Sequence, residues 1–254
     1  MILLRSVLFL VALALLTPPY SLLAIATFPL PAHWRYRVIS QWTRIALWLL
    51  RHICAIRYEV RGRENIPTTP SIVLAKHQSA WETLAFQEIF PPQVWVLKRS
   101  LLAVPFFGWG LAMLSPIAID RSAGREALKQ VTKQGRDRLK RGFWIVIFPE
   151  GTRVAPGQTG RYGIGGAWLA THTQTPVVPV AHNAGEFWGR NAFRKYPGTI
   201  TVSIGAPIDP TGMKPGELNE KVQAWIEAEM ARIQTANAGV RPASPDIRNE
   251  LSRH

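Results

Sequence analysis

The 254-residue sequence predicts an α/β fold in which a largely parallel central sheet is flanked by helices and preceded by an N-terminal membrane-anchoring helical segment. From about residue 54 onward, short β-branched or aromatic runs, most of them bounded by Gly or Pro, indicate strands. Longer stretches of helical character separate these runs, and such alternation is typical of a layered domain with a mostly parallel sheet. Before residue 53 the chain is instead rich in leucine, tryptophan and arginine, the composition of a membrane anchor.

The predicted strands and helices follow one another in a regular order along an α/β domain at residues 53–236. Alternating apolar and polar side chains at 55–60 indicate a half-buried strand. The other strand candidates are short runs at 71–75, 94–97, 116–119, 143–148, 177–181 and 199–204. The helix candidates lie at 80–90, 124–141, 162–172 and 217–233, and the last has a core-facing apolar stripe. Residues 237–254 are polar and include two prolines, which predicts a flexible tail.

The N-terminal segment, residues 1–52, begins with two apolar runs separated by Pro18 and Pro19. The runs at 6–16 and 22–30 are each shorter than the roughly 20 apolar residues of a straight transmembrane helix. Because proline interrupts the helical hydrogen-bond ladder, two interpretations remain: a kinked spanning helix, or a hairpin that enters one leaflet and returns. A cleaved signal peptide ending at 24–26 is disfavoured, since apolar residues continue past the prolines.

The second half of this segment has the composition of a helix at the water–lipid interface. Arginines and aromatic residues are mixed with the apolar residues of 38–50, a pattern in which rings lie at headgroup level and long cations reach the water. These residues are Trp34, Arg35, Tyr36, Arg37, Trp42, Arg44, Trp48 and Arg51. Basic residues after the first apolar segment favour a main domain on the cytoplasmic face of the inner (plasma) membrane.

Composition and charge narrow the class of protein. A hydrophobic content of 47% excludes an extended disordered chain, and the single cysteine, Cys54, excludes an intrachain disulfide or a multi-cysteine zinc module. The formal charge of +14 suits nucleic acid, an anionic membrane or a phosphate-bearing substrate. The basic residues are spread along the chain and no nucleic-acid-binding motif is present, so a nucleic-acid partner is disfavoured.

A histidine and a glutamate follow the strand candidate at 71–75. His77 and Glu82 are five positions apart, so they meet only if His77 lies in the turn before the next helix and Glu82 in its first turn. A histidine can then take a proton from a hydroxyl while the carboxylate holds its tautomer. The competing interpretation is a capping box at 79–82, in which Glu82 binds a backbone N–H; the two roles are compatible.

A sharp turn follows the strand candidate at 143–148. Pro149 and Gly151 force a non-helical path that exposes Glu150 and Arg153 at the end of the strand. The donor fork of a guanidinium suits a phosphate, and a carboxylate can bind the hydroxyls of a polyol. The simpler alternative is an ordinary surface pair of glutamate and arginine.

A third charged pair, Asp120 and Arg121, ends the strand candidate at 116–119. Ligands of open α/β sheets bind beyond the carboxyl ends of the strands, where Arg121 would supply a second guanidinium for a phosphate. The alternative is a solvated residue that leads into the basic helix at 124–141, whose charges are typical of a soluble helix face.

In this order, the three stretches resemble the membrane glycerolipid acyltransferases, specifically the 1-acyl-glycerol-3-phosphate acyltransferases. The family pattern is a histidine, four residues and an acid, then a strand ending in Arg, then Glu-Gly-Thr-Arg, then a proline-containing strand. The matching positions here are His77 with Glu82, Arg121, residues 150–153 and residues 177–180. Lys98 and residues 105–109 are similar to the lysine and the Pro-Phe-Phe-Gly segment of the family.

Two positions depart from the family pattern. Glu82 replaces the usual aspartate, which keeps the charge on a side chain one methylene longer. Ser100 stands where an acid often follows the family lysine, so the contribution of this part of the acceptor site is less well defined.

The resemblance implies the glycerolipid acyltransferase fold and a direct acyl transfer. His77 would deprotonate the sn-2 hydroxyl of lysophosphatidate, which attacks an acyl thioester, while Glu82 orients and stabilises His77. Lys98, Arg121 and Arg153 would hold the acceptor phosphate, and Glu150 would position the glycerol hydroxyl. Gly151 and Thr152 would shape the turn. The resemblance implies no metal and no bound cofactor, because a thioester is already activated.

The implied partners are anionic membrane lipids, lysophosphatidate, and either acyl-CoA or acyl carrier protein as donor. The acceptor could also be a related lysolipid or glycerol 3-phosphate. From a different class, a membrane-bound lipid esterase would use the same anchor and transfer the acyl group to water. The sequence has no Gly-x-Ser-x-Gly nucleophile elbow, which disfavours the common serine esterases.

Overall fold

The computed structural model describes residues 1–120 and 124–237; the predicted tail, beyond residue 237, lies outside this range. The strands are β1 Ile56–Arg61, β2 Ile72–Ala75, β3 Gln93–Lys98, β4 Ile117–Ile119, β5 Trp144–Ile147, β6 Val177–His182 and β7 Gly198–Ile204. The helices are α1 Ile2–Ala26, α2 Ala32–Cys54, α3 Trp81–Ile89, α4 Phe107–Met113, α5 Gly124–Lys140, α6 Gly165–Thr173 and α7 Pro215–Asn237. Short 3₁₀ turns lie at Arg63–Asn65, Arg99–Ala103 and Ala184–Glu186.

The seven strands form one sheet in the order β1-β7-β6-β2-β5-β3-β4. β2, β3, β4, β5 and β6 run parallel, whereas β7 is antiparallel to β6 and β1 is parallel to β7. The predicted α/β fold with a largely parallel sheet is therefore confirmed. The carboxyl ends of the five parallel strands meet at one edge of the sheet, where ligands of open α/β sheets usually bind.

The centre of the sheet is buried on both faces. Every residue of β2, β5 and β6 is buried, as expected for strands covered by helices on both sides. The last helix contributes the predicted stripe: Leu218, Val222, Ile226 and Met230 of α7 are all buried. The apolar stripe that the sequence predicts on this helix is therefore its buried face.

The N-terminal segment forms a helical hairpin of α1 and α2. α1 runs as one helix through Pro18 and Pro19, and the chain reverses at 27–31, not at the prolines where the sequence suggested a kink or a turn. Two prolines remove only two backbone donors, and the Thr17 hydroxyl adds a hydrogen bond to the Leu13 carbonyl at 2.7 Å within the same turn. In apolar surroundings a helix satisfies the remaining backbone groups better than a break would.

The hairpin is also part of the folded body. Ser6 of α1 accepts the Lys195 N–H at 2.9 Å, and the Phe9 ring packs edge-on against Trp188 at 5.7 Å. α1 is long and apolar enough to cross a membrane. The apolar side chains that α1 leaves exposed include Leu3, Leu4, Leu8, Val11, Leu15, Leu22 and Leu23. α1 therefore has one face packed on the protein and one exposed apolar face.

Candidate active site

His77 and Glu82 meet at the carboxyl end of β2. β2 ends at Ala75 and α3 begins at Trp81, so His77 lies in the connecting turn and Glu82 in the first turn of the helix. His77 Nδ1 lies 2.7 Å from Glu82 Oε1, which also accepts the N–H groups of Gln78 at 3.0 Å and Ser79 at 2.9 Å. One carboxylate oxygen therefore caps the turn and orients the imidazole at the same time.

The Glu82 carboxylate is held in its ionised form. Burial raises the pKa of this carboxyl, but the imidazoles of His182 and His77 and the N–H of Ser79 outweigh burial, so the pKa lies below its ordinary value. An ionised Glu82 keeps the proton of His77 on Nδ1, which leaves Nε2 free to accept a proton.

The His77 ring is fixed at the wall of a cavity. It stacks on Phe148 with ring centroids 4.0 Å apart and an angle of 10° between the rings, and its side chain is 15% exposed. The cavity has a volume of about 480 Å³. Its apolar lining comes from the hairpin, α3, β3 and α4, and includes Ala24, Ile39, Trp42, Leu84, Trp95 and Leu111. A long apolar chain therefore fits beside the imidazole.

Basic side chains lie on the same cavity. Lys98 at the end of β3 and Arg153 after β5 both contribute to the lining, together with Gly151 and Thr152. The N–H of Val154 donates to the His77 carbonyl at 2.8 Å, so the turn at 149–153 is tied to the histidine loop. Gly151 has a φ of +67°, a conformation that glycine adopts without strain. Arg121 lies outside the described residues.

Glu150 lies beneath the histidine loop and contacts Lys76 and His77. Its Oε1 lies 2.7 Å from Lys76 Nζ, and its Oε2 accepts the His77 N–H at 2.8 Å. Because the turn directs this carboxylate back beneath the histidine loop, Glu150 is buried behind the cavity wall. Its observed contacts are with the protein, and the contact with the glycerol hydroxyl that the resemblance implies stays a prediction.

Comparison with known proteins identifies the family of this chain. The sequence profile of the Acyltransferase family matches residues 57–183, half of the chain, and these residues include His77, Glu82 and the turn at 149–153. The chain belongs to this family. It is 50% identical over 222 residues, 86% of each chain, to the 1-acyl-sn-glycerol-3-phosphate acyltransferase of Pseudomonas aeruginosa.

Two relatives of lower sequence identity also match this acyltransferase. The Saccharomyces cerevisiae 1-acyl-sn-glycerol-3-phosphate acyltransferase is 31% identical over 219 residues, 82% of this chain and 70% of the relative. The crystal structure of the Thermotoga maritima 1-acyl-sn-glycerophosphate acyltransferase superposes with a TM-score of 0.76 at 23% identity, over 92% of this chain and 96% of that one. The structural likeness supports the acyltransferase fold.

Three residues of the acyltransferase site were missed by sequence reasoning. Arg190 lines the cavity, and its guanidinium donates to the Arg153 carbonyl at 3.2 Å. Lys76 is buried beside Glu150, and His182 is buried beneath the histidine loop. Lys76 and His182 carried a usable signal, because each directly follows a predicted strand, at 71–75 and 177–181, whereas Arg190 does not.

His182 is a second histidine near the site, but its contacts are internal. Its Nε2 lies 2.8 Å from the Lys76 carbonyl, and its Nδ1 accepts the Ala184 N–H at 3.3 Å. Burial outweighs the attraction of Glu82 and lowers the pKa of His182, which favours the neutral Nε2–H tautomer that these contacts require. Of the two imidazoles, His77 is the one on the cavity.

Proposed function

We propose that this acyltransferase transfers an acyl chain from an acyl thioester to the sn-2 hydroxyl of 1-acyl-glycerol-3-phosphate, giving phosphatidate. The observation that carries the proposal is the His77–Glu82 pair, 2.7 Å apart, on an apolar cavity that is also lined by Lys98, Arg153 and Arg190. Such a cavity suits a molecule with an apolar chain and an anionic head. The names of the relatives supply the specific acceptor.

The proposed chemistry is a direct transfer with His77 as general base. Nε2 takes the proton of the hydroxyl while the oxygen attacks the thioester carbonyl, and Glu82 stabilises the resulting imidazolium. The tetrahedral intermediate collapses with loss of the thiolate, which recovers the proton from His77. The phosphate is bound by Lys98 and Arg153, with Arg190 beside them, and Arg121 remains a proposal from the family resemblance.

The proposed setting is a membrane surface. The helical hairpin anchors the enzyme on the cytoplasmic face of the inner membrane, and its arginines bind anionic lipids. The donor is acyl-CoA or acyl carrier protein, both consistent with a basic surface, and no bound cofactor takes part.

A panel of acceptors tests the proposed function. Purified enzyme in lipid vesicles receives one acyl thioester, as CoA or carrier-protein derivative, with lysophosphatidate, another lysolipid or glycerol 3-phosphate. We expect the fastest transfer to lysophosphatidate; a faster transfer to another acceptor would overturn the assignment of the acceptor. Acyl release from labelled phosphatidate without any thioester would instead identify an esterase.

The role of His77 is tested by His77→Ala in the same assay. Loss of a general base is expected to lower kcat about 10²–10⁴-fold without altering association with vesicles. Trp168→Ala removes a large ring from α6, outside the cavity lining, and should keep most of the activity. Near-normal turnover by His77→Ala would contradict the mechanism.

A further inference from the structure

Lys76, the residue before His77, is a buried cation with three partners. Its side chain is 1% exposed, and Nζ lies 2.7 Å from Glu150 Oε1 and 2.8 Å from Glu227 Oε1. It also donates to the Gln158 carbonyl at 3.1 Å. An ammonium has three N–H donors, so these contacts use all of them and fix the direction of the side chain.

The cation is connected to His77 through Glu150. One oxygen of the Glu150 carboxylate faces Lys76 Nζ, while the other accepts the His77 N–H at 2.8 Å. The backbone of Lys76 is held as well: its N–H donates to Val180 at 3.0 Å, and its carbonyl lies 2.8 Å from His182 Nε2. The position of the His77 main chain therefore depends on groups that do not line the cavity.

The ion pairs of Glu150 and Lys76 continue to Glu227, which lies on the C-terminal helix α7. Glu227 of α7 accepts the Tyr162 hydroxyl at 2.8 Å on Oε1 and the Thr159 hydroxyl at 2.8 Å on Oε2. Partial burial raises the pKa of Glu227, but the hydrogen bonds from Lys76, Tyr162 and Thr159 outweigh it and hold the pKa below its ordinary value. Glu227 is therefore an anionic partner that holds the Lys76 side chain in place.

We propose that Lys76 and Glu227 are positioning residues of the transfer reaction, which hold the Glu150 carboxylate and through it the main chain of His77. The inference rests on the proposed function, because His77 is taken as the base. Removing one member of a buried charge network leaves the others uncompensated, so Lys76 and Glu150 would rearrange without Glu227. A displacement of about 1 Å at a reacting group can cost on the order of 10²-fold in rate.

The test compares Glu227→Gln with Glu229→Gln in the full chain reconstituted in lipid vesicles. Glu229 lies on the same helix and is also bonded, accepting the Ser203 hydroxyl at 2.8 Å, but its contacts lead to β7 and not to His77. We expect Glu227→Gln to lower kcat about tenfold while both KM values stay within about twofold. Glu229→Gln should keep kcat within about twofold at a similar melting temperature.

A further readout separates positioning from a purely structural role. Glu227→Asp, which keeps the charge, should recover part of the kcat that Glu227→Gln loses. Wild-type kcat in Glu227→Gln would overturn the proposal.

The experiment distinguishes a failure of the proposed function from a failure of the positioning role. If the wild-type enzyme acylates another acceptor in preference to lysophosphatidate, the assignment of the acceptor fails, and the same variants are then compared on that acceptor. Equal losses of kcat in Glu227→Gln and Glu229→Gln, in proportion to their loss of melting temperature, would assign the network to stability alone and overturn the positioning role.

Discussion

At the scale of single residues, the contact between two side chains close in sequence was predictable, and the contact between two side chains far apart in sequence was not. His77 and Glu82 lie within one turn and helix start, so their residue types and spacing were enough to pair them. Lys76 and Glu227 are 151 positions apart, and their contact exists only because α7 packs beside the β2–α3 turn. The same packing brings Lys76 to the Glu150 carboxylate, a contact that the sequence did not predict.

The pKa of Glu82 leads to a prediction for stability. Because its folded pKa lies below the ordinary value of 4.5, the ionised carboxylate stabilises the fold above about pH 4.5, and this contribution is lost as the pH falls through the folded pKa. Glu82→Gln should therefore lower the melting temperature at pH 7, with a gap from wild type that narrows below pH 4.5. Thermal unfolding in detergent, at pH 7 and below pH 4.5, measures the melting temperatures of the variant and the wild type.

The control for this prediction is Glu64→Gln, a change of an exposed glutamate in the turn after β1. Its melting temperature should follow that of the wild type at every pH. A gap for Glu82→Gln that widens in acid would show that Glu82 is not ionised in the folded protein.

A second prediction at this scale concerns the phosphate. Charge-assisted hydrogen bonds are worth about 1.5–3 kcal/mol, so Arg153→Gln should raise the KM for lysophosphatidate at least about tenfold. The KM for the acyl donor should stay unchanged, as should both constants in Arg232→Gln, an exposed arginine of α7. A rise in the donor KM alone would assign Arg153 to the phosphates of the donor.

At the scale of elements, strands were easier to predict than the helices around the cavity. The β-branched runs placed all seven strands within a few residues, since buried parallel strands are nearly continuous apolar segments. α4 was not predicted, because its seven residues include two glycines and too few turns for a periodic pattern. The unbroken α1 was also missed, since proline statistics describe helices in water better than helices packed in apolar surroundings.

Packing between elements gives a prediction for Gly166 of α6. A Cβ at this position would lie 2.4 Å from Leu74 Cδ2 of β2, the strand that leads to His77. Gly166→Ala should therefore destabilise the fold by about 1–3 kcal/mol, the usual cost of overpacking a core. Gly216→Ala on α7 meets nothing within 4 Å and should be neutral or slightly stabilising. Equal melting temperatures of the two variants would contradict this account.

At the scale of the whole molecule, part of the positive charge lies on the N-terminal helical hairpin. The hairpin supplies part of the cavity wall, so an apolar chain bound in the cavity would contact α1 and α2. The net charge of +14 does not by itself distinguish an anionic membrane from nucleic acid, and the placement of the arginines on α2 leads to a prediction for the membrane. Arg37, Arg44 and Arg51 recur every seven residues on α2 and are all exposed, which puts them on one face of the helix beside Trp34 and Trp48.

This face predicts how the protein responds to lipid charge. Basic residues near an anionic surface contribute about 1 kcal/mol each, so replacing Arg37, Arg44 and Arg51 with Gln should weaken binding to anionic vesicles about 100-fold. Binding to zwitterionic vesicles should change little, because the apolar face of α1 is intact. Co-sedimentation with the two kinds of vesicle, at low and high salt, measures the difference.

A control with the same loss of charge decides whether position or total charge matters. Lys129, Lys133 and Lys140 are exposed on α5, a helix that is not part of the hairpin, and their replacement with Gln also removes three charges. If the face of α2 binds the lipid, the α5 variant keeps wild-type affinity for anionic vesicles and the same dependence on salt. Equal weakening in both variants would mean that the net charge of the molecule, and not the arginine face of the hairpin, attracts it to the membrane.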